Sequence, residues 1–128
     1  MKIAIAVSRE GLVFPGHFAH APKFRIYEYA DGKLRLLEER DNPLGNAPDL
    51  DVEHHGAHMH GVAKYSWLRQ RVLPDVDAVI AAGACETSHR YFTSEGVKML
   101  FTDPIEVKVL EDYIDQNPSE FEEVLRQS

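Results

Sequence analysis

The run "IAIAV", Ile3 to Val7, decides the fold class. An apolar stretch with β-branched residues at alternate positions and no polar partner between them reads as a strand buried on both faces, the kind that needs helices on either side of a sheet. "VDAVIAAG" (Val76 to Gly83) and "VKMLFTD" (Val97 to Asp103) repeat the pattern later in the chain. Helical segments precede and follow them, so these short runs are expected to lie parallel in one sheet.

Between the first and second of these strands, "KFRIYEYA" (Lys23 to Ala30) sets Phe24, Ile26 and Glu28 against Arg25, Tyr27 and Tyr29. Asp31-Gly32 then turns the chain into "LRLLEER" (Leu34 to Arg40), an antiparallel hairpin signal. Asp41 to about His60 has no period, and a loop of that length in a small domain is usually functional. Gly61 to Leu73 has approximate helical spacing and is stopped by Pro74. "CETSHRYFTSEG" (Cys85 to Gly96) reads as a helix closed by Gly96. Pro104 to Ser128 supplies one or two acidic helices with Pro118 between them. The expected order is β-β-β-α-β-α-β-α, a mixed sheet in a single α/β domain over residues 1–128, with a core to about residue 117 and a terminal helix over 118–128.

Composition narrows the function classes. The 128 residues are 44% apolar and 27% charged, as in a globular domain, with a net charge of −7. That balance offers no basic stripe for a phosphate backbone, so nucleic acid is not expected as a partner, nor is a membrane surface. No apolar run approaches the ~20 residues of a spanning helix, and no signal peptide is visible; the protein is expected to be cytoplasmic. One cysteine, Cys85, cannot form an internal disulfide.

Donor atoms concentrate in three places. "HHGAHMH", His54 to His60, carries four of the seven histidines: His54, His55, His58 and His60. Gly16 to His20 follows the first strand and holds His17 and His20. Cys85 and His89 follow the second buried strand. Ligands of parallel sheets gather outside the carboxyl ends of the strands, which favours the first-strand and Cys85 groups meeting at one edge. Pairs four apart, His54 with His58 and Cys85 with His89, share one face if helical and can hold one metal. Imidazole suits Zn, Cu, Fe and Ni, and thiolate suits Cu(I), Zn and iron–sulfur clusters. The plainer readings are a polar loop for the His54–His60 tract, a turn cap and a packing ring for His17 and His20, a small buried residue for Cys85, and an exposed or structural His89.

Other templates are missing. The chain has no G-x-x-x-x-G-K-[ST], G-x-G-x-x-G or G-x-S-x-G, and no C-x-x-C. One cysteine cannot supply a Cys₄ set, so a cluster bound by one chain would arrive largely assembled.

The combination of "MKIAIAVS", "GHFAHAPKFRIYEY", "ERDNPL", a His- and Gly-rich loop, "VDAVIAAG" and "GVKMLFTD" resembles the dinitrogenase iron–molybdenum cofactor-binding family over nearly the whole chain. Its H-F-G-x-A-x-x-F signature stands here as His17-Phe18-Ala19-His20-Ala21-Pro22-Lys23-Phe24. The resemblance implies a ribonuclease H-like α/β fold and a role in carrying or inserting a metal–sulfur cluster in nitrogenase cofactor assembly or a related system. Ala19 replaces the usual glycine, which speaks against a left-handed backbone there. "GACE" (Gly83 to Glu86) stands where many members have a glycine-rich turn. Nuclease chemistry is not expected, because "IAIAV" brings no carboxylate to the sheet.

The expected function is therefore a non-enzymatic carrier of a metal–sulfur cluster, iron–molybdenum or iron–sulfur in type, or of a divalent metal. His17, His20 and Cys85 would contact the cofactor, with His54, His55, His58 and His60 as metal ligands and a cluster donor or acceptor protein as partner. Uptake through imidazole should weaken below about pH 6.5. The alternatives are a mononuclear metal-dependent hydrolase using Glu53 or Glu86 as general base, and an interaction domain whose histidines are incidental.

Overall fold

The computed structural model describes residues 1–46 and 62–128, and all structural statements concern those residues. Strands β1 (Lys2–Val7), β2 (Lys23–Ala30), β3 (Lys33–Asp41), β4 (Ala78–Ala81) and β5 (Lys98–Phe101) form one sheet in the order β3-β2-β1-β4-β5. The hairpin side is antiparallel, whereas β1–β4 and β4–β5 are parallel. Helices α1 (Pro43–Asn46) and α2 (Val62–Arg71) come between β3 and β4, α3 (Glu86–Ser94) between β4 and β5, and α4 (Val107–Gln116) and α5 (Pro118–Gln127) close the chain. The molecule is a small single-domain α/β structure with a mixed five-stranded sheet.

The central strand behaves as its composition demands. Ile3 to Val7 are all 0% exposed. Ile3, Ile5 and Val7 pack on one side with Ile114 of α4 and with Phe121 and Leu125 of α5. Ala4 and Ala6 face the other side, where Leu68 of α2 and Phe92 of α3 complete a second core. Each large side chain buried in this way contributes about 1.5–3 kcal/mol from loss of apolar surface to water. The small methyls of Ala4 and Ala6 leave room on their side for Phe18, Phe24 and Tyr65.

The hairpin turn is of the expected kind: Asp31 (φ 54°) and Gly32 (φ 77°) are both left-handed, as a two-residue turn between twisted strands requires. Both faces of the alternating β2 are covered. Phe24 and Ile26 enter the α2/α3 core, while Tyr27 and Tyr29 enter the α4/α5 core and donate their hydroxyls to Glu111 and Glu122. β3, at the edge, carries a bulge opposite Ile26–Tyr27 and is mostly exposed.

Arg40 at the end of β3 grips the segment before β4. Its guanidinium meets both oxygens of Asp75 at 2.8 and 2.9 Å and donates to the Val72 carbonyl. Hydrogen bonding to Arg40, with Lys2 adding to it, holds the Asp75 carboxyl well below the usual range despite burial.

The ends of β1 and β4 lie side by side, and the chain after β1 returns across the end of β4. The Phe18 amide donates to the Gly83 carbonyl at 2.9 Å, and His17 bridges Gly83 in parallel register. A Cβ on Gly83 would sit 2.7 Å from the Gly16 carbonyl oxygen, so glycine permits this approach.

Candidate functional site

Three elements build the site from the carboxyl end of the sheet. The first is the turn after β1, where Phe18–His20 make a single 3₁₀ turn. His17 caps it: the Ala19 amide donates to His17 Nδ1 at 3.1 Å. Phe18 anchors the turn in the core, edge-on to Phe92 with centroids 5.4 Å apart. Among the described non-glycine residues only Asp31 has a positive φ, so Ala19 takes an ordinary backbone and its methyl is buried. The replacement of glycine there needs no backbone adjustment.

Asn42 clamps this turn from beneath. It is fully buried, and its side-chain amide donates to the Ala19 and Ala21 carbonyls at 2.9 and 2.8 Å. Its oxygen accepts from the Leu44 amide at 3.3 Å, which ties α1 to the turn. Gly45 of α1 packs so closely on Ala21 that a Cβ would collide with the backbone carbonyl there. Asn42 stands in the quoted "ERDNPL", but nothing in its spacing marks it as a clamp.

The second element is the N-terminus of α3. Cys85 is the N-cap: the Ser88 amide donates to its sulfur at 3.4 Å, while its own amide donates to Ser88 Oγ at 3.1 Å. Only half-buried, its thiol departs from the plainer reading of Cys85 as a small buried residue. A capping residue must keep its side chain at the helix mouth, and that keeps the sulfur at the surface of the cleft.

The third is the first turn of α2, which supplies Lys64 and Tyr65. The Tyr65 hydroxyl lies 3.1 Å from Cys85 Sγ and 3.2 Å from His17 Nε2. With Nδ1 of His17 occupied as an acceptor, a neutral ring carries its proton on Nε2. The polar chain then runs from His17 Nε2–H to the Tyr65 oxygen and from the Tyr65 O–H to the sulfur. Lys64 Nζ lies 2.9 Å from His20 Nε2, and His20 Nδ1 lies 3.5 Å from the Leu44 carbonyl oxygen. The rings of His17 and His20 have centroids 6.2 Å apart. Thus the structure joins His17, His20 and Cys85 through two residues, Lys64 and Tyr65, that sequence reading placed only on a helix.

The charge states follow from this packing. Burial, with Lys64 and His20 adding positive charge, lowers His17 to about 4, so it stays neutral well below the pH 6.5 expected of an ordinary imidazole. Burial alone would push the Cys85 thiol up, but hydrogen bonds from Tyr65 and Ser88 outweigh it and hold the thiol below its ordinary value. Burial and the neighbouring sulfur raise Tyr65, keeping it a donor. The arrangement can present a soft sulfur to a metal at neutral pH, with a nearby imidazole nitrogen that Lys64 now occupies.

The remaining candidates fall elsewhere. His89 is exposed on α3 and leans on Phe101, centroids 5.9 Å apart, away from the Cys85 thiol cluster. Glu86 has an 82% exposed side chain and pairs with Arg90 at 2.6 Å. The expectations on His54, His55, His58, His60 and Glu53 lie outside the described residues. No three His, Cys, Asp or Glu side chains among the described residues converge as a complete metal-ion site. No described helix is long and apolar enough to cross a membrane.

Comparison with family descriptions matches residues 1–116 to "Dinitrogenase iron-molybdenum cofactor". The chain belongs to that family. Membership in the dinitrogenase iron–molybdenum cofactor family ties it to a metal–sulfur cluster in general terms and covers all three elements of the site. The crystal structure of PH0822 is similar at a TM-score of 0.59 and 15% identity, over 89% of this chain and 86% of that one, a likeness of fold alone. No curated protein matches the chain.

Proposed function

We propose that this member of the iron–molybdenum cofactor family is a cytoplasmic carrier, not an enzyme, that takes a preassembled metal–sulfur cluster from a donor protein and passes it to an acceptor. Cys85 and His20 are the cluster contacts on the described surface. His17 orients Tyr65 against the sulfur; to ligate through Nε2 itself it would have to take its proton onto Nδ1 and give up the cap on the Ala19 amide. The His54–His60 tract adds imidazoles to the same cargo. The ribonuclease H-like relationship implied by the family belongs to this reading.

One observation carries it: the Cys85 thiol, held below its ordinary value at the mouth of α3, stands in a polar chain with the signature histidine His17. A cluster that brings its own sulfide needs only one or two protein donors, which this edge supplies. The hydrolase reading requires a general base beside the metal. Of the two carboxylates named for that role, Glu86 is turned to Arg90 and Glu53 lies outside the described residues, so the described site supports the carrier reading better.

The test is anaerobic. Purified protein offered iron–sulfur or iron–molybdenum–sulfur clusters should retain metal and sulfide through gel filtration, seen by absorption and elemental analysis. Cys85→Ser and His20→Ala should each reduce retention. If the unaltered protein retains nothing, the carrier reading is wrong.

A further inference from the structure

We infer that Lys64 is a charge-selecting residue of this site, so that cargo bearing negative charge is preferred to a bare divalent cation. The inference rests on the carrier reading and goes beyond it by naming which cargo the pocket favours and which side chain decides.

Lys64 lies in the first turn of α2, in a protein whose net charge is −7, yet its Nζ is held 2.9 Å from the imidazole of His20 and 5.7 Å from the Tyr65 ring centroid. Among the described residues, no carboxylate is bonded to His17, His20, Tyr65 or Cys85. Among the described residues, the positive charge of Lys64 is felt at His17. Beyond His20, Arg9 and Glu10 contribute one charge of each sign to a cleft of about 410 Å³. The described donor group therefore carries an ammonium and no bonded carboxylate.

A site for a bare dication gains from carboxylates and loses from an ammonium beside its ligand, because the two positive charges repel at short range. A sulfide-rich cluster is the converse case. Its negative charge can be met by an ammonium, which presents three donors on a flexible stem. Lys64 also occupies His20 Nε2, the nitrogen a metal would use. When His20 turns to the cargo, the ammonium is freed within reach of the cargo's sulfides. One exchange thus supplies both a ligand and a counter-charge.

The test compares two probes on the full chain under anaerobic conditions: tetrathiomolybdate, a metal–sulfide dianion, and Co²⁺, a bare cation. Binding is read by absorption titration for wild type, Lys64→Arg and Lys64→Gln, with thermal melts confirming that each folds. The unaltered protein is expected to bind tetrathiomolybdate. Lys64→Gln should weaken that binding about tenfold, the scale of one charge-assisted contact, and Lys64→Arg should retain it. Co²⁺ should bind Lys64→Gln as well as wild type or more tightly. If wild type binds tetrathiomolybdate and Lys64→Gln binds it equally well, or if Lys64→Gln weakens both probes alike, the charge-selecting role is overturned while the carrier reading stands. If wild type takes up neither tetrathiomolybdate nor the clusters used to test the carrier reading, that reading fails and the selectivity fails with it.

Discussion

Tyr65 shows how one side chain can tune another without touching a ligand. Its hydroxyl donates to Cys85 Sγ at 3.1 Å, and this bond favours the thiolate. Tyr65→Phe should therefore raise the Cys85 thiol and slow its alkylation by iodoacetamide at pH 7.5, while lost hydrogen bonding costs only about 1 kcal/mol of stability. An unchanged alkylation rate would mean that the bond does not act on the sulfur. Nothing in "VAKYSWLRQR" marks Tyr65 for this work, because the residue it serves is twenty positions away. The side chains with chemistry were legible in His17, His20 and Cys85; the ones that set their charge state were not.

His17 makes a prediction of the opposite kind, about the fold. Its pKa is about 4 in the folded chain against 6.5 for the unperturbed ring, so between those values the unfolded state binds more protons. Stability from this residue is complete above pH 6.5 and is lost as pH falls towards 4. Urea midpoints at pH 7.5 and 4.5 should therefore fall further for wild type than for His17→Asn, whose amide can still cap the Ala19 amide. Equal losses would show that His17 carries no such linkage.

At the scale of elements, the site depends on the chain after β1 lying against the end of β4. Gly83 allows this, since a Cβ there would come within 2.7 Å of the Gly16 carbonyl. Gly83→Ala should cost about 1–3 kcal/mol and, by pushing the His17 turn away from α3, should also change Cys85 alkylation. A thermal melt and the alkylation assay together check this; a melt unchanged from wild type would mean that the two segments separate freely. "IAIAV", the Asp31-Gly32 hairpin and Gly96 were readable because short-range rules govern them: continuous burial, a turn with two positive φ values, and a helix end. The double burial of β2 was not readable. It depends on α4 and α5 folding over Tyr27 and Tyr29 from more than eighty residues away.

For the whole molecule, the sheet separates two cores with different duties. The side with α2 and α3 includes Phe18, Tyr65 and Phe92 and carries the site; the side with α4 and α5 includes Phe121 and Leu125. Phe121→Ala and Phe92→Ala should each destabilise by about 3–5 kcal/mol in denaturant melts. Only Phe92→Ala, which removes the ring against Phe18, should alter Cys85 alkylation in the still-folded protein. Equal effects on alkylation from both variants would show that the sheet does not insulate the site.

Sequence by itself determined the class of the molecule and which side chains are candidate donors. Strand burial, turn geometry and helix ends are written in neighbouring residues, and the His17 to Phe24 signature marks the turn that carries two of the candidate contacts. Only the tertiary structure decided that His17, His20 and Cys85 share one edge, that Lys64 and Tyr65 stand between them, and that Asn42 holds their turn from below. The reason is physical: charge state and hydrogen-bond partnership depend on distance and burial, and those are set by how β1, β4, α2 and α3 pack.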